Sequence, residues 1–510
     1  MVMMALSNKA HAVVYQFYWK DNANNGNWDW GGSQWYGTNA NANVGAPTFD
    51  GGAQLYFENT GNTTTTINNA GSGGGAPSGW IALNGIFTQN ASSGKVYTIN
   101  SGGGINGIYL YNKIETLAIG TAAGLIINSQ VQLGGSAEIN AVAANIQLGN
   151  LLLNGNTLNA YGNKQLNITG VISGAGTVNI KNQGLTATYS GAAANIFSGG
   201  TTVENSSTLV LNKSANTAAI AGALTINSGA IVRTDAANQL SNQLVTVNGT
   251  LNLNSNNQSA ALAGSGTVTL GSGTFTITNT GTDTFSGGIS GTGGVTKSGA
   301  GTQILSSTNS YGGTTTVSQG TLQVNGSVTG SGAVNVASGA TLGGTGSVAG
   351  TVNVTGVLAP GASIESLGTG AVSFLAGSTL AYELNSTGLN GDLVDSTGVL
   401  DIASGAILTL NDLAAGTLAN GSKLTLIDYM GGWTGGELFT YNGSTLNDDS
   451  TFTLGANQWF FNYNDTSGGS NFTADQFGAS SFVTMTVIPE PASAALGLIG
   501  SLLLLRRRRA

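Results

Sequence analysis

Any chemistry in this chain has to come from carboxylates. It has no Cys and a single His, His11, so Cys/His and Ser/His/Asp centres and thiolate zinc sites are excluded unless His11 serves. Glycoside chemistry on a β scaffold needs two or more carboxylates within about 5 to 10 Å, or acids with a basic partner on one face. Between residues 120 and 364 the acids are Glu138, Glu204, Asp235 and Asp283, spaced 66, 31 and 48 residues apart. Stacked strands could align two of them, but the spacing gives no reason for it, so no catalytic residue is expected. Asp392, Asp395 and Asp401, and Asp448 with Asp449, carry the oxygen donors that calcium prefers. The glycine-rich nonapeptide calcium repeat is absent, so solvated acidic loops are the expected state, with no metal and no other cofactor. Gly-x-Gly runs such as Gly344-Thr-Gly346 lack a following helix pattern and a Gly-Lys-Ser/Thr step, which predicts strand turns and not phosphate loops.

The elements that must position these residues are strands. Of 510 residues, 81 are Gly and only 36 are charged, 7% against about 25% in ordinary globular chains. A hydrophobic fraction of 40% is too high for a disordered chain, so a core is expected. Between about 111 and 364 short alternating runs recur, such as Thr177-Val-Asn-Ile180, Leu224-Thr-Ile226 and Val334-Asn-Val336, each bounded by Gly, Asn or Ser. Their period of two places branched apolar residues on one face and Thr or Asn on the other. Gly-x-Gly-x-Val-x-aliphatic recurs at 174–180, 264–270 and 330–336, and a Ser-Gly-Ala step at 228, 338 and 404. Recurrence at irregular intervals, few charges and one buried face predict a β-solenoid of about a dozen coils over 111–364, at roughly 20 residues per coil. A sandwich would need modules of near-constant length, and none is present.

Charge is uneven. Residues 1–364 hold nine acids and nine bases, whereas 365–488 hold twelve acids and one base, Lys423. Apart from Arg506 to Arg509 no basic cluster exists, so nucleic acid is not an expected partner.

Phe285 to Thr302, then Asn309-Ser-Tyr311-Gly-Gly-Thr-Thr-Thr-Val317 and Gly320-Thr-Leu-Gln-Val324, resemble the autotransporter-associated β-strand repeat family over about forty residues. Gly170 to Lys213, with Phe197-Ser-Gly-Gly-Thr-Thr-Val203, resembles a degenerate second copy, and Leu358 to Ile364 with the acidic segment after it resembles the way such passengers end. The resemblance implies a right-handed parallel β-helix displayed outside the cell, with no assigned catalytic residues. It departs from the family's pattern in having only arginines and Ala510 after Leu505, so no translocator barrel is expected there.

The expected organisation is a possible signal-peptide remnant at 1–12, a Trp-rich β cap at 13–110, the β-helix at 111–364, an acidic β region at 365–488 and a tail at 489–510. Ala10-His11-Ala12 has the small-x-small form of a cleavage site, but Val2 to Leu6 is too short for an h-region, which suggests a start placed too far downstream. Five of seven tryptophans, Trp19, Trp28, Trp30, Trp35 and Trp80, lie in the first hundred residues. They could stack on sugar rings, but plugging the open end of the first coil is the expected role. The tail has three parts: Pro489-Glu490-Pro491, an uncharged run from Ala492 to Leu505, and Arg506, Arg507, Arg508 and Arg509. It resembles the PEP-CTERM sorting tail, which implies recognition by an exosortase. Fourteen residues as a helix span about 21 Å, short of the roughly 30 Å hydrocarbon core, so a transient single-pass inner-membrane anchor is expected, with the arginines cytoplasmic. The expected function is a non-enzymatic exported surface or matrix protein, adhesin-like or exopolysaccharide-associated. The alternative is a carbohydrate-binding or polysaccharide-processing β-helix, favoured if aromatics and carboxylates converge on one groove.

Overall fold

The structure, a computed structural model, describes residues 15–19, 27–29, 35–36, 53–57, 64–68, 80–88, 96–101, 106–116, 124–181, 184–434, 437–471 and 481–489. The chain divides into two compact units, Met1–Phe275 and Thr276–Ala510. The described residues are all-β, a parallel solenoid of right-handed type with about 13 turns. Among them there is no helix, hence none long and apolar enough to cross a membrane. Trp30, residues 1–14 and residues 490–510, with Glu490, Pro491 and Arg506 to Arg509, lie outside the described residues.

In the first unit the chain alternates between two parallel sheets. One contains Gly107–Thr116, Ala137–Ala141, Asn156–Gly162, Gly176–Ile180, Thr201–Val203 and Leu224–Ile226 in sequential order. The other contains Gly124–Ile127, Asn145–Leu148, Gln165–Ile168, Thr186–Gly191 and Thr208–Lys213. Register partners Ile139, Ala160, Ile180, Val203 and Ile226 succeed one another every 20 to 23 residues. All five are buried, so the period-two alternation puts one apolar column inside and the polar residues between them outside. Among the N-terminal strands, Tyr15–Trp19 pairs antiparallel with Trp35–Tyr36 and parallel with Ala53–Phe57.

Coil-to-coil contact at the corners is made by backbone, and this explains the Gly-x-Gly signature. Gly176 has φ 133°, and a side chain on Gly176, Gly266 or Gly332 would run into the carbonyl of Asn156, Gly249 or Gly313 respectively, as one on Gly199 would into that of Gly176. Buried asparagines close the same corners. Asn195 Oδ1 accepts from Ile172 N at 2.9 Å while its Nδ2 donates to Ala219 O at 2.7 Å, tying three successive coils together. Asn309 in the second unit does the same between Ile289 N and Ser327 O. Each stands two residues before a fully buried aromatic, Phe197 or Tyr311, so the two corners share one design.

The second unit has three-sided coils, for example Gly320–Val324, Ser327–Val328 and Val334–Val336, followed by Ala340–Gly344, Ser347–Val348 and Val352–Val354. Leu322, Leu342, Leu358, Leu380 and Leu408 form one inner column. Parallel pairing continues past residue 364 through Ile407–Asp412 to Lys423–Tyr429, which lies parallel to Leu393–Ser396. Beyond it the chain turns antiparallel: Lys423–Tyr429 pairs with Ser481–Ile488, which pairs with Asn457–Asp465, which pairs with Ser450–Leu454. Buried Phe439, Trp459, Phe461 and Tyr463 pack there, and half-buried Trp433 stacks on Tyr463 at 5.1 Å. One end of this unit is thus covered by an aromatic-rich antiparallel meander, which removes a bare strand edge.

Candidate functional site

The four acids weighed as catalytic candidates do not meet. Glu204 faces Lys181 at 3.9 Å, Asp235 pairs with Arg233 at 3.1 Å, and Asp283 accepts from Asn279 at 3.0 Å. Glu138 meets a carboxylate that lay outside the window surveyed, Glu115, 23 residues earlier and therefore about one coil away. The register opposes Glu138 to Lys113 and Asn140 to Glu115. Carried across successive strands, it aligns Glu115, Asn140 and Tyr161 in one outward row bounded by buried Phe87, with Lys181 over the Tyr161 ring and Glu204 facing Lys181 farther along. Lys113, Glu138, Asn159 and Asn179 form the row beside it.

Glu115, Glu138, Asn140, Val142 and Tyr161 line an open groove of about 330 Å³ on this face. Lys113 closes a 2.7 Å ion pair with Glu115 and lies 5.3 Å from the centre of the Phe87 ring. Asn140 Nδ2 donates weakly to Glu115 Oε1 at 3.4 Å, while its Oδ1 accepts no hydrogen bond. Lys181 stands 5.8 Å from the centre of the Tyr161 ring. Tyr109 and Tyr111 pack edge to face at 5.2 Å beside Gly134, where any side chain would strike both rings. Burial, with Tyr109 as a smaller contribution, raises the Tyr111 hydroxyl above its ordinary value. Half-buried Glu138 has neither a hydrogen bond nor an ion pair among the described residues.

The expectation of solvated acidic loops holds for some of the acids named and fails for others. Asp448 and Asp449 lie exposed in a turn, and Asp401 accepts from Thr434 at 3.0 Å on the surface. Asp392 and Asp395 are buried, because the segment that carries them, Leu393–Ser396 included, is covered on both faces. Asp392 accepts from Glu383 N at 2.8 Å and Glu365 N at 3.1 Å. Burial nevertheless pushes its carboxyl up to about 7, helped by the nearby Glu383 and Glu365, against those two hydrogen bonds. Asp395 lies opposite Asp428 in register, and both are buried. Desolvation raises both above the ordinary carboxylate range, and their proximity lets one proton serve the pair. Asn471 crosses over this region, donating to Asp392 O at 3.1 Å and Thr425 O at 2.7 Å. Among the described residues no group of three or more potential ligands could hold a metal ion.

Two lysines are also buried. Lys213 Nζ donates to Gly170 O and Ser190 O at 2.9 Å each, and Lys297 Nζ donates to Gly299 O and Gln319 O. Desolvation lowers both amines below their ordinary value, and both tie corners of adjacent coils. Sequence reading missed Glu115, Asn140, Tyr161 and Asp428 because each becomes meaningful only in register with a residue about one coil away.

A search of curated proteins finds no match to this chain. Residues 295–324 match the passenger-associated-transport-repeat family, over the segment running from Val295 through Lys297, Asn309 and Tyr311 to Val324. Together with the solenoid, that match fits a passenger-domain-like surface protein.

Proposed function

We propose that this chain is a non-enzymatic exported β-solenoid of the cell surface or extracellular matrix, adhesin-like or exopolysaccharide-associated, and sorted through its C-terminal tail by an exosortase. The carrying observation is the passenger-associated repeat at 295–324, seated in uninterrupted stacked coils. The non-enzymatic reading is supported by the separation of the acids first weighed: Glu204, Asp235 and Asp283 each hold a different partner and none of them meets another. With a working export signal in a host that encodes an exosortase, deletion of 489–510 should move the protein to the medium with its fold intact. Aggregation or degradation of the truncated chain inside the cell would remove the sorting role. A panel of neutral and acidic polysaccharides should show no turnover; cleavage abolished by Glu115→Gln or Glu138→Gln would make the protein an enzyme.

A second reading, carbohydrate binding, is favoured by the groove, where Tyr161, Glu115 and Glu138 converge. Open, shallow and polar, it suits a chain laid along the surface better than an engulfed small molecule. Retention on immobilised glycans, lost in Tyr161→Ala, is its test.

A further inference from the structure

We propose that the groove over Glu138 takes a glycan bearing free primary amines, a polymer of hexosamine residues laid across the strands. This rests on the carbohydrate-binding reading and names the ligand class. The groove's charges are Lys113, Glu115 and Glu138, with Lys181 and Glu204 farther along the same face. Lys113 is neutralised by Glu115 at 2.7 Å, and Lys181 faces Glu204 at 3.9 Å. Glu138 stands opposite Lys113 in register but closes no ion pair, because Lys113 is committed to Glu115, and it is only half-buried, so a ligand ammonium can reach it without being stripped of all its water.

Hydrogen-bonding capacity points the same way. Asn140 spends an N–H on Glu115, and its Oδ1 accepts nothing. Beside it the Glu138 carboxylate is an acceptor only. Asn140 Oδ1 is itself buried, so the acceptor the groove offers a ligand is the Glu138 carboxylate, and its complement is a hydrogen-bond donor that carries positive charge. An ammonium with flanking hydroxyls meets that description, whereas a uronic acid polymer would be repelled and an N-acetylated chain would leave Glu138 uncompensated. Successive strands are about 4.8 Å apart, close to the length of one sugar residue in an extended chain, so a neighbouring ring would lie toward Tyr161.

The full-length protein should be titrated with glucosamine oligomers carrying free amines, with their fully N-acetylated counterparts and with oligogalacturonate. Free-amine oligomers should bind best. Glu138→Gln should weaken them by about tenfold or more, the scale of a lost charge-assisted hydrogen bond, with an unchanged circular dichroism spectrum. Asp235→Asn, a surface carboxylate paired with Arg233 elsewhere, should change binding less than about twofold. Equal losses in the two variants would reduce the effect to attraction by the chain's net charge of −8 and overturn the proposal. Equal binding of amine and N-acetyl oligomers, insensitive to Glu138→Gln, or preference for oligogalacturonate, would refute amine selection yet keep carbohydrate binding. Failure of all three oligomers to bind would remove both.

Discussion

Two neighbourhoods, one in each unit, hold their carboxylates in opposite surroundings. In the first, Lys113 and Glu115 flank Ile114, and Glu138 and Asn140 flank Ile139, so on these two strands the charged groups point outward and the isoleucines inward. In the second, Asp395 stands in a strand with no exposed residue, and Asp428 in one whose last six residues are buried. An acid on a half-covered sheet stays ionised in water. On a sheet covered on both faces it must collect backbone N–H groups, as Asp392 does, or share a proton, as Asp395 and Asp428 do. An outer carboxylate such as Glu138 is thus open to a ligand, whereas the inner ones are parts of the structure.

The sharpest way to break that contrast is to remove an aromatic from each region. Trp459→Ala empties a fully buried site in the closing meander of the second unit and should cost about 3 to 5 kcal/mol in denaturant unfolding. Tyr161→Ala, on the outward face of the first, should cost less than about 1 kcal/mol. Similar losses at both sites would mean that the outer face is packed against something, and the groove would cease to be a surface.

The inner acids should also write a pH dependence that the outer ones do not. Unfolded Asp titrates near 3.9, and Asp392, Asp395 and Asp428 titrate higher when folded, so the folded state holds extra protons in between. Their contribution to stability is fully present below about pH 4 and is lost as pH rises through the folded values, about 7 for Asp392. Asp465 moves the other way: burial alone would raise it, but hydrogen bonds from Lys423, Thr484 and Ser467 hold it low. Its contribution appears above about pH 4 and is constant across the window where the inner acids act. Melting followed from pH 5 to pH 9 should therefore fall steadily for the second unit. Asp428→Asn supplies a permanent N–H toward Asp395 and keeps the acceptor for Ser396 N, so it should flatten the curve without unfolding the unit. An unaltered slope in that variant would discount the shared proton.

A smaller effect is expected at the corners. Gly199→Ala would drive a methyl into the carbonyl of Gly176, and the two coils must separate locally to admit it. A loss of about 1 to 3 kcal/mol is expected, the ordinary range for overpacking. Gly155→Ala, whose left-handed φ of 80° leaves open space around the added methyl, isolates the conformational part of the cost, about 1 kcal/mol. If the two variants lose the same amount, close packing of coils is not what the corner glycines provide.

Much of the fold was legible because its signals are local. Alternation in Thr177 to Ile180 and Leu224 to Ile226 marks strands with one buried face, and the Gly steps mark corners. The match at 295–324 was visible for the same reason: one repeat is a contiguous string. What escaped was set by register. Glu115 and Glu138 become neighbours only once coil length is known, and coil length varies with the loops. Asp395 reads as an ordinary loop acid, since its burial depends on Asp428, 33 positions later in sequence, and on Asn471 beyond that. The aromatic closure was sought at the N-terminal tryptophans, yet Trp433, Trp459 and Tyr463 gather only when the chain folds back antiparallel. No local pattern marks that reversal, since Asn457 to Asp465 alternates like any other strand.

The smallest expected effect tests the comparison most directly, because it applies one chemical change in both regions. Glu138→Gln removes a charge that touches no partner among the described residues, so stability should move by no more than about 0.5 kcal/mol. Asp392→Asn exchanges one of two accepting oxygens for an N–H, yet Glu365 N and Glu383 N both need an acceptor there. One buried backbone donor is then left facing another donor, at a cost of about 1 to 3 kcal/mol. Because Asp392 titrates at about 7 when folded, native stability falls as pH rises whereas Asn has no proton to lose there, so the gap in chemical denaturation should be widest near pH 5 and close toward pH 9. At pH 9 the native carboxylate accepts both bonds but bears an unpaired buried charge, so its advantage over Asn is set by two opposing quantities. A gap that widens with pH gives precedence to the hydrogen bonds, and one that closes gives it to desolvation. A loss above about 1 kcal/mol in Glu138→Gln would mean that Glu138 already serves the fold.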